Sequence, residues 1–144
     1  MSTELQAPPK PVVMNIDWKG DQAFETSRPG GPVAILDGHG KAGQTPVDAL
    51  LASVAACAAI DVVEILAKRR TPVKTLSIEA VGERVIEIPR RYKHITLKFL
   101  ISGAGIDRDQ ALRAIELSVT KYCSVRRSLL EEIVVDWELE LGDS

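Results

Sequence analysis

Hydrophobic and polar positions change their rhythm several times along the chain, and each change marks an expected element. Val12-Val13-Met14-Asn15-Ile16-Asp17-Trp18 has strand composition, and Val33-Ala34-Ile35-Leu36-Asp37 has it again. The Arg28-Pro29-Gly30-Gly31-Pro32 cluster between them predicts a turn. Pro8, Pro9 and Pro11 among polar neighbours make residues 1–11 a flexible lead-in, with a single domain expected over 12–144. Gly38-His39-Gly40-Lys41-Ala42-Gly43 reads as a mobile loop.

Thr45-Pro46-Val47-Asp48 predicts a helix start: a Thr hydroxyl can accept from the first free N–H groups, Pro suits the first helical position, and Asp48 meets the positive end of the dipole. Val47, Leu50, Leu51, Val54, Cys57, Ala58, Asp61, Val62, Ile65 and Leu66 then recur at three- and four-residue steps, so the helix should reach about Arg70 before Pro72 stops it. Residues 49–60 carry no charge, which predicts a helix buried on all sides. That uncharged run is about 12 residues, short of the roughly 20 that span a bilayer, so no membrane partner is expected.

Leu76, Ile78 and Ala80 alternate with Ser77 and Glu79, and Ile95, Leu97, Phe99 and Ile101 alternate with Thr96 and Lys98, predicting two antiparallel strands joined across Pro89. Asp107 and Gln110 form a capping-box pattern ahead of a second helix with Ala111, Leu112, Ile115, Val119 and Tyr122 inside. A helical turn from about Ser124 to Glu131 and a last strand through Ile133, Val135, Trp137, Leu139 and Leu141 complete an α+β plan. One small domain cannot wrap an apolar helix of about 24 residues, roughly 36 Å at 1.5 Å per residue, so a second subunit should cover part of it.

Composition narrows the function. Lys plus Arg number 18 against 20 Asp plus Glu, a net charge of −2, and there are two each of Trp, Tyr and Phe. That leaves neither a basic footprint nor a stacking platform for nucleic acid. The two cysteines are too few for a disulfide scaffold, and no basic region followed by an apolar run opens the chain, so a reducing cytoplasm is expected.

Cys57 lies mid-helix among small residues and can be read either as a packed small hydrophobe or as a thiol that a small substrate can approach. Asp61, four residues on, shares its face, where a carboxylate raises a thiol pKa unless a cation pairs with it; an acid paired at an interface is the other reading. Cys123 sits at a helix-to-helix junction, where unpaired backbone donors favour thiolate, and Arg126 and Arg127 follow within one turn. No CxxC pair, phosphate loop or metal-ligand spacing joins the cysteines to His39 and His94, so neither metal nor cofactor is expected.

Thr45-Pro46-x-Asp48-x-Leu50-Leu51 leading to Cys57, then Ala59-Ile60-Asp61-Val62-Val63, and Lys121-Tyr122-Cys123-Ser124-Val125 are the residues of a recognisable pattern, supported by Glu83-Arg84, Pro89 and Tyr92-Lys93-His94-Ile95-Thr96-Leu97. The sequence resembles the OsmC/Ohr family (osmotically inducible protein C-like), closest to its YhfA-like branch, from about residue 12 to the end. The resemblance implies an OsmC/Ohr-like fold of antiparallel sheets about a long buried central helix, in an intertwined homodimer with active sites at the subunit interface. It also implies a thiol peroxidase in oxidative stress defence: Cys57 attacks an organic hydroperoxide or hydrogen peroxide and becomes a sulfenic acid, Cys123 resolves it as a disulfide, and an external dithiol reductant, a lipoylated protein in the Ohr branch, restores both. The peroxidase branches place Glu after the helix-opening proline and pair it with an N-terminal Arg. Here that position is Val47, and Arg28 is the one Arg before the helix. Asp48, Asp61, Arg84, Arg126 and Arg127 are therefore further candidates for activating or supporting Cys57. The alternative is a non-catalytic protein of the same fold that binds a small hydrophobic ligand at the dimer interface; a structural dimer with inert thiols is a third reading.

Overall fold

The computed structural model describes residues 7–143, so the first six residues of the expected lead-in lie outside it. Residues 7–11 are exposed and carry no regular structure. Two compact units divide the chain, one ending at Ala49 and one beginning at Leu50.

The first unit is an antiparallel sheet of β1 (Asn15–Trp18), β2 (Ala23–Ser27) and β3 (Ala34–Asp37), in that order. The sequence pattern supplied β1 and β3 but not β2, so the two expected strands are separated by a third. Gly20 at φ 107° and Asp21 at φ 50° make the tight turn, closed by Lys19 N–H to Ala23 O at 2.8 Å, and set Trp18 opposite Phe24. The glycine loop after β3 is organised about one carboxylate. Asp37 accepts N–H from Ala42 and His39, each at 2.9 Å, and from Lys41 at 3.3 Å, and these donors, Ala42 first, hold its carboxyl below the usual range.

Helix α1 (Pro46–Lys68) starts as its sequence predicts, with Thr45 Oγ1 accepting the Asp48 N–H at 3.1 Å. Within the second unit its buried stripe is Val54, Ala55, Ala58, Val62 and Leu66. The expected burial on all sides is not met in one chain: Ile60 is 60% exposed, and Leu50 and Val63 are open as well. A single sheet and helix layer covers one side of a cylinder, which leaves the other side of an apolar helix uncovered.

The second unit is built on β4 (Thr75–Arg84), β5 (Tyr92–Ser102) and β6 (Val134–Leu141), with β5 central. Ile95, Leu97, Phe99 and Ile101 alternate inward along β5 and form the core with the α1 stripe. A register shift at Glu83/Arg84 adds one residue to β5, which turns Tyr92 to the buried side too. β4 and β5 pair antiparallel as expected, but β5 and β6 run parallel, so this sheet is mixed rather than antiparallel. The crossover that parallel pairing demands is supplied by α2 (Arg108–Leu117), a wide π turn (Ser118–Tyr122) and α3 (Ser124–Arg127). Asp107 begins α2 through its backbone carbonyl, which accepts the Ala111 N–H at 2.9 Å, and its side chain makes no capping bond, so the expected capping box is not formed. The inner face is Ala111, Ala114 and Ile115, with Val119 and Ser118 following it inward, while Tyr122 is half exposed.

Candidate functional site

The second unit brings together the two sulfurs that the sequence holds 66 residues apart. Cys57 projects from the middle of α1, half buried, and Cys123 stands between the π turn and α3, 3% exposed. Both are free thiols, and they lie near enough for Cys57 to act electrostatically on Cys123.

The local backbone fixes Cys123. Its N–H closes the π turn on Ser118 O at 2.8 Å, and its Sγ accepts the Arg126 N–H at 3.3 Å as the cap of α3. The sequence led us to expect a thiolate at this junction; the structure reverses that. Burial pushes the Cys123 thiol up, the neighbouring Cys57 adds to the rise, and the N–H groups of Arg126 and Val125 pull downward without prevailing, leaving it at about 11. The proton therefore stays on Cys123 at neutral pH.

Two of the candidate cations, Arg126 and Arg84, are engaged elsewhere. The Arg126 guanidinium donates to the carbonyls of Leu130 at 3.2 Å, Glu131 at 3.3 Å and Ile133 at 2.8 Å, so it fixes the loop into β6 instead of facing the sulfurs. Arg84 Nε donates to Arg90 O at 2.7 Å at the tip of the β4–β5 hairpin. Arg127 is exposed and lines a cleft of about 390 Å³ with Val119, Leu129, Val135 and Trp137. Arg28 and Asp48 belong to the first unit, where the Arg28 carbonyl accepts the Gly31 N–H at 2.9 Å and Asp48 is exposed in the first turn of α1. Neither histidine joins the thiols: His94 bridges Glu83 at 3.2 Å and Asp136 at 2.7 Å, and His39 contacts Asp21 at 3.4 Å.

A family model described as OsmC-like protein matches residues 38–138. The chain belongs to the OsmC-like family. Among its OsmC-like relatives, protein YhfA of Escherichia coli strain K12 is 32% identical over 127 residues, which is 88% of this chain and 95% of that one. A solved structure of a hypothetical protein from Aquifex aeolicus VF5 is similar at TM-score 0.79 and 24% identity, covering 93% of this chain and 99% of that one. The organic hydroperoxide resistance protein OhrB of Bacillus subtilis is similar at TM-score 0.57 and 17% identity, over 92% and 98% of the two chains. At such identities the two structures share the fold.

One residue of this OsmC-like site escaped sequence reasoning. Ser118 is fully buried, and its hydroxyl lies 3.0 Å from Ala58 O and 3.1 Å from Asp61 Oδ2, sharing one proton between two acceptors on α1. Asp61 thus faces a hydroxyl, where sequence offered a role at the thiol or an acid–base pair. The signal was present: Ser118 continues the inward spacing of Ala111, Ala114 and Ile115, and a polar residue in an apolar stripe requires a partner.

Proposed function

We propose that this protein is a thiol-dependent peroxidase that reduces organic hydroperoxides or hydrogen peroxide, with Cys57 as nucleophile and Cys123 as resolving thiol. The observation that carries the reading is the neighbourhood of the two thiols, from elements far apart in the chain, close enough that Cys57 raises the Cys123 pKa. Cys57 is the more accessible, and Cys123 is the one that retains its proton. In the first step Cys57 sulfur attacks one peroxide oxygen, the O–O bond breaks, and the other oxygen leaves and takes a proton as alcohol or water. Sulfur is oxidised to a sulfenic acid and the peroxide is reduced. In the second, Cys123 sulfur attacks Cys57 sulfur, the S–O bond breaks, and the hydroxyl departs with the Cys123 proton as water, leaving a disulfide. An external dithiol, a lipoylated protein among the candidates, then returns both thiols by exchange. The similarity to a fold named for organic hydroperoxide resistance supports this chemistry.

The site works as a homodimer in a reducing cytoplasm on this reading. Ile60, Leu50 and Val63 on α1 in the second unit, and separately Trp18 and Ile16 on β1 in the first, are exposed apolar residues of the kind that a second copy covers. A second reading has support of its own. Arg84 and Arg126 are bound to carbonyls and Val47 stands where peroxidases of the family carry Glu, which favours a protein that binds a small hydrophobic ligand at the dimer interface without turnover.

Free-thiol counting before and after one equivalent of cumene hydroperoxide separates the two. The peroxidase loses two thiols per chain, and with Cys123→Ser a sulfenic acid is trapped on Cys57. Unchanged thiols in the parent overturn the peroxidase reading.

A further inference from the structure

We infer that Ser118, held by Asp61, is a positioning residue that sets the separation of the Cys57 and Cys123 sulfurs; its use in turnover rests on the peroxidase reading. Ser118 links the two cysteine-bearing elements. Its hydroxyl is 3.0 Å from the carbonyl of Ala58, the residue that follows Cys57, and its own carbonyl accepts the Cys123 N–H at 2.8 Å. Two hydrogen bonds through one residue therefore connect the backbone beside one sulfur to the backbone that carries the other.

The chemistry of the link explains why it is polar. Ser118 is fully buried, and apolar packing alone would be served by alanine, as at Ala114 and Ala111, one and two turns earlier. A buried hydroxyl costs free energy unless it finds a partner, and here it finds two. Asp61 Oδ2 at 3.1 Å is the second acceptor, and together with Ala58 O it fixes the hydroxyl rotamer toward α1. The carboxylate is itself half buried, at the edge of a cleft of about 450 Å³ that it shares with Ile65, Lys68, Leu117 and Tyr122.

The backbone form points the same way. α2 widens into the π turn at Ser118, and the extra residue of that turn lets the chain reach Cys123 in an extended conformation, at φ −72° and ψ 106°. Disulfide formation demands Cα atoms within about 4.4–6.8 Å and a narrow dihedral, so a shift of about 1 Å between α1 and the π turn is felt directly in closure of the S–S bond. Attack on peroxide involves Cys57 sulfur alone and has no such dependence.

The test is a redox equilibrium of the full chain with reduced and oxidised dithiothreitol, which transfers two electrons and two protons from the protein thiols and needs no peroxide. Parent, Ser118→Ala, Asp61→Ala and Asp61→Asn are compared at a temperature where circular dichroism shows each folded. Ser118→Ala and Asp61→Ala should lower the equilibrium constant for the Cys57–Cys123 disulfide at least fivefold and slow its closure from the sulfenic acid as much, while consumption of the first thiol by cumene hydroperoxide changes less than twofold. Asp61→Asn, whose amide oxygen still accepts from the hydroxyl, should stay within twofold of the parent. Asp61→Ala carries the test if Ser118→Ala does not fold. Parental constants in the folded alanine variants, or an Asn variant as impaired as the Ala variant, overturn the inference. A parent that forms the disulfide with oxidised dithiothreitol but ignores hydroperoxide overturns the peroxidase reading alone, and one that forms no disulfide overturns both.

Discussion

The Arg126 N–H donates to Cys123 Sγ across 3.3 Å, so a thiol serves as the cap of helix α3. A single neutral cap does not outweigh burial, and Cys123 is held near 11. Reactivity of thiols follows the thiolate fraction and access. With Cys57→Ser, the remaining Cys123 should react with iodoacetamide at pH 8 at least tenfold more slowly than Cys57 does in Cys123→Ser. Mass-spectrometric rates that are equal would remove the assigned order of the two thiols.

The same shift makes folding stability depend on pH. An unfolded cysteine titrates near 8.5, whereas folded Cys123 keeps its proton to about 11, so the native state binds more protons between those values. Its contribution is complete below the unfolded value and is lost as pH rises through the folded one. Melting temperature should decline from pH 9 to pH 11 in the parent and decline less in Cys123→Ser; identical slopes would show that Cys123 is not the group responsible.

Much of this was legible in the chain and some of it could not be. α1 followed from Thr45, Pro46 and a long three-four spacing, because capping and burial there act along a contiguous segment. β2 was missed because Phe24 is the one large apolar residue in Ala23–Ser27, and a pattern that weak carries no period even in a central strand; the Gly20-Asp21 turn was its better signal. Parallel pairing of β5 and β6 is a property of the crossover, which no strand pattern encodes. The two cysteines were found through family motifs, yet their proximity and the Ser118 link depend on how α1 meets the π turn. The fate of Arg126 was hidden for a similar reason: its three carbonyl partners lie four to seven residues ahead, in an irregular segment.

The open side of α1 bears on assembly. Ile60 is 60% exposed on a helix whose opposite stripe is sealed. A lysine there leaves the sealed stripe untouched and puts a charge into any subunit contact. Ile60→Lys should therefore keep the parental circular dichroism and sediment as a monomer at concentrations where the parent is a dimer. A parent that is itself monomeric at about 100 μM would contradict the proposed dimer.

Asp37 predicts a local effect in the first unit. Its carboxylate collects three backbone N–H groups from the loop after β3, and those bonds hold its pKa below the ordinary value near 3.9. The stabilisation is present above that pH and fades as pH falls through the lowered folded value. In Asp37→Ala, hydrogen exchange at the Ala42 and His39 amides should accelerate at least tenfold at neutral pH with β5 amides unaffected, and unchanged exchange would mean that the loop is held by something else.

Gly82 gives the sharpest packing prediction. It lies in β4, where a side chain on that face would run into the Tyr92 ring and reach 3.2 Å from Leu51 Cδ2 on α1. Tyr92 is 6% exposed and has little room to swing aside, so the added methyl must displace either the ring or the helix. Overpacking of this kind costs roughly 1–3 kcal/mol, against which the lower chain entropy of alanine in the unfolded state recovers about 0.4–1 kcal/mol. Gly82→Ala should thus lower the urea midpoint with an unchanged slope, and Gly82→Ala combined with Tyr92→Leu should recover part of the loss by opening space for the methyl. A single variant as stable as the parent would mean that α1 does not rest on this strand as closely as the structure places it.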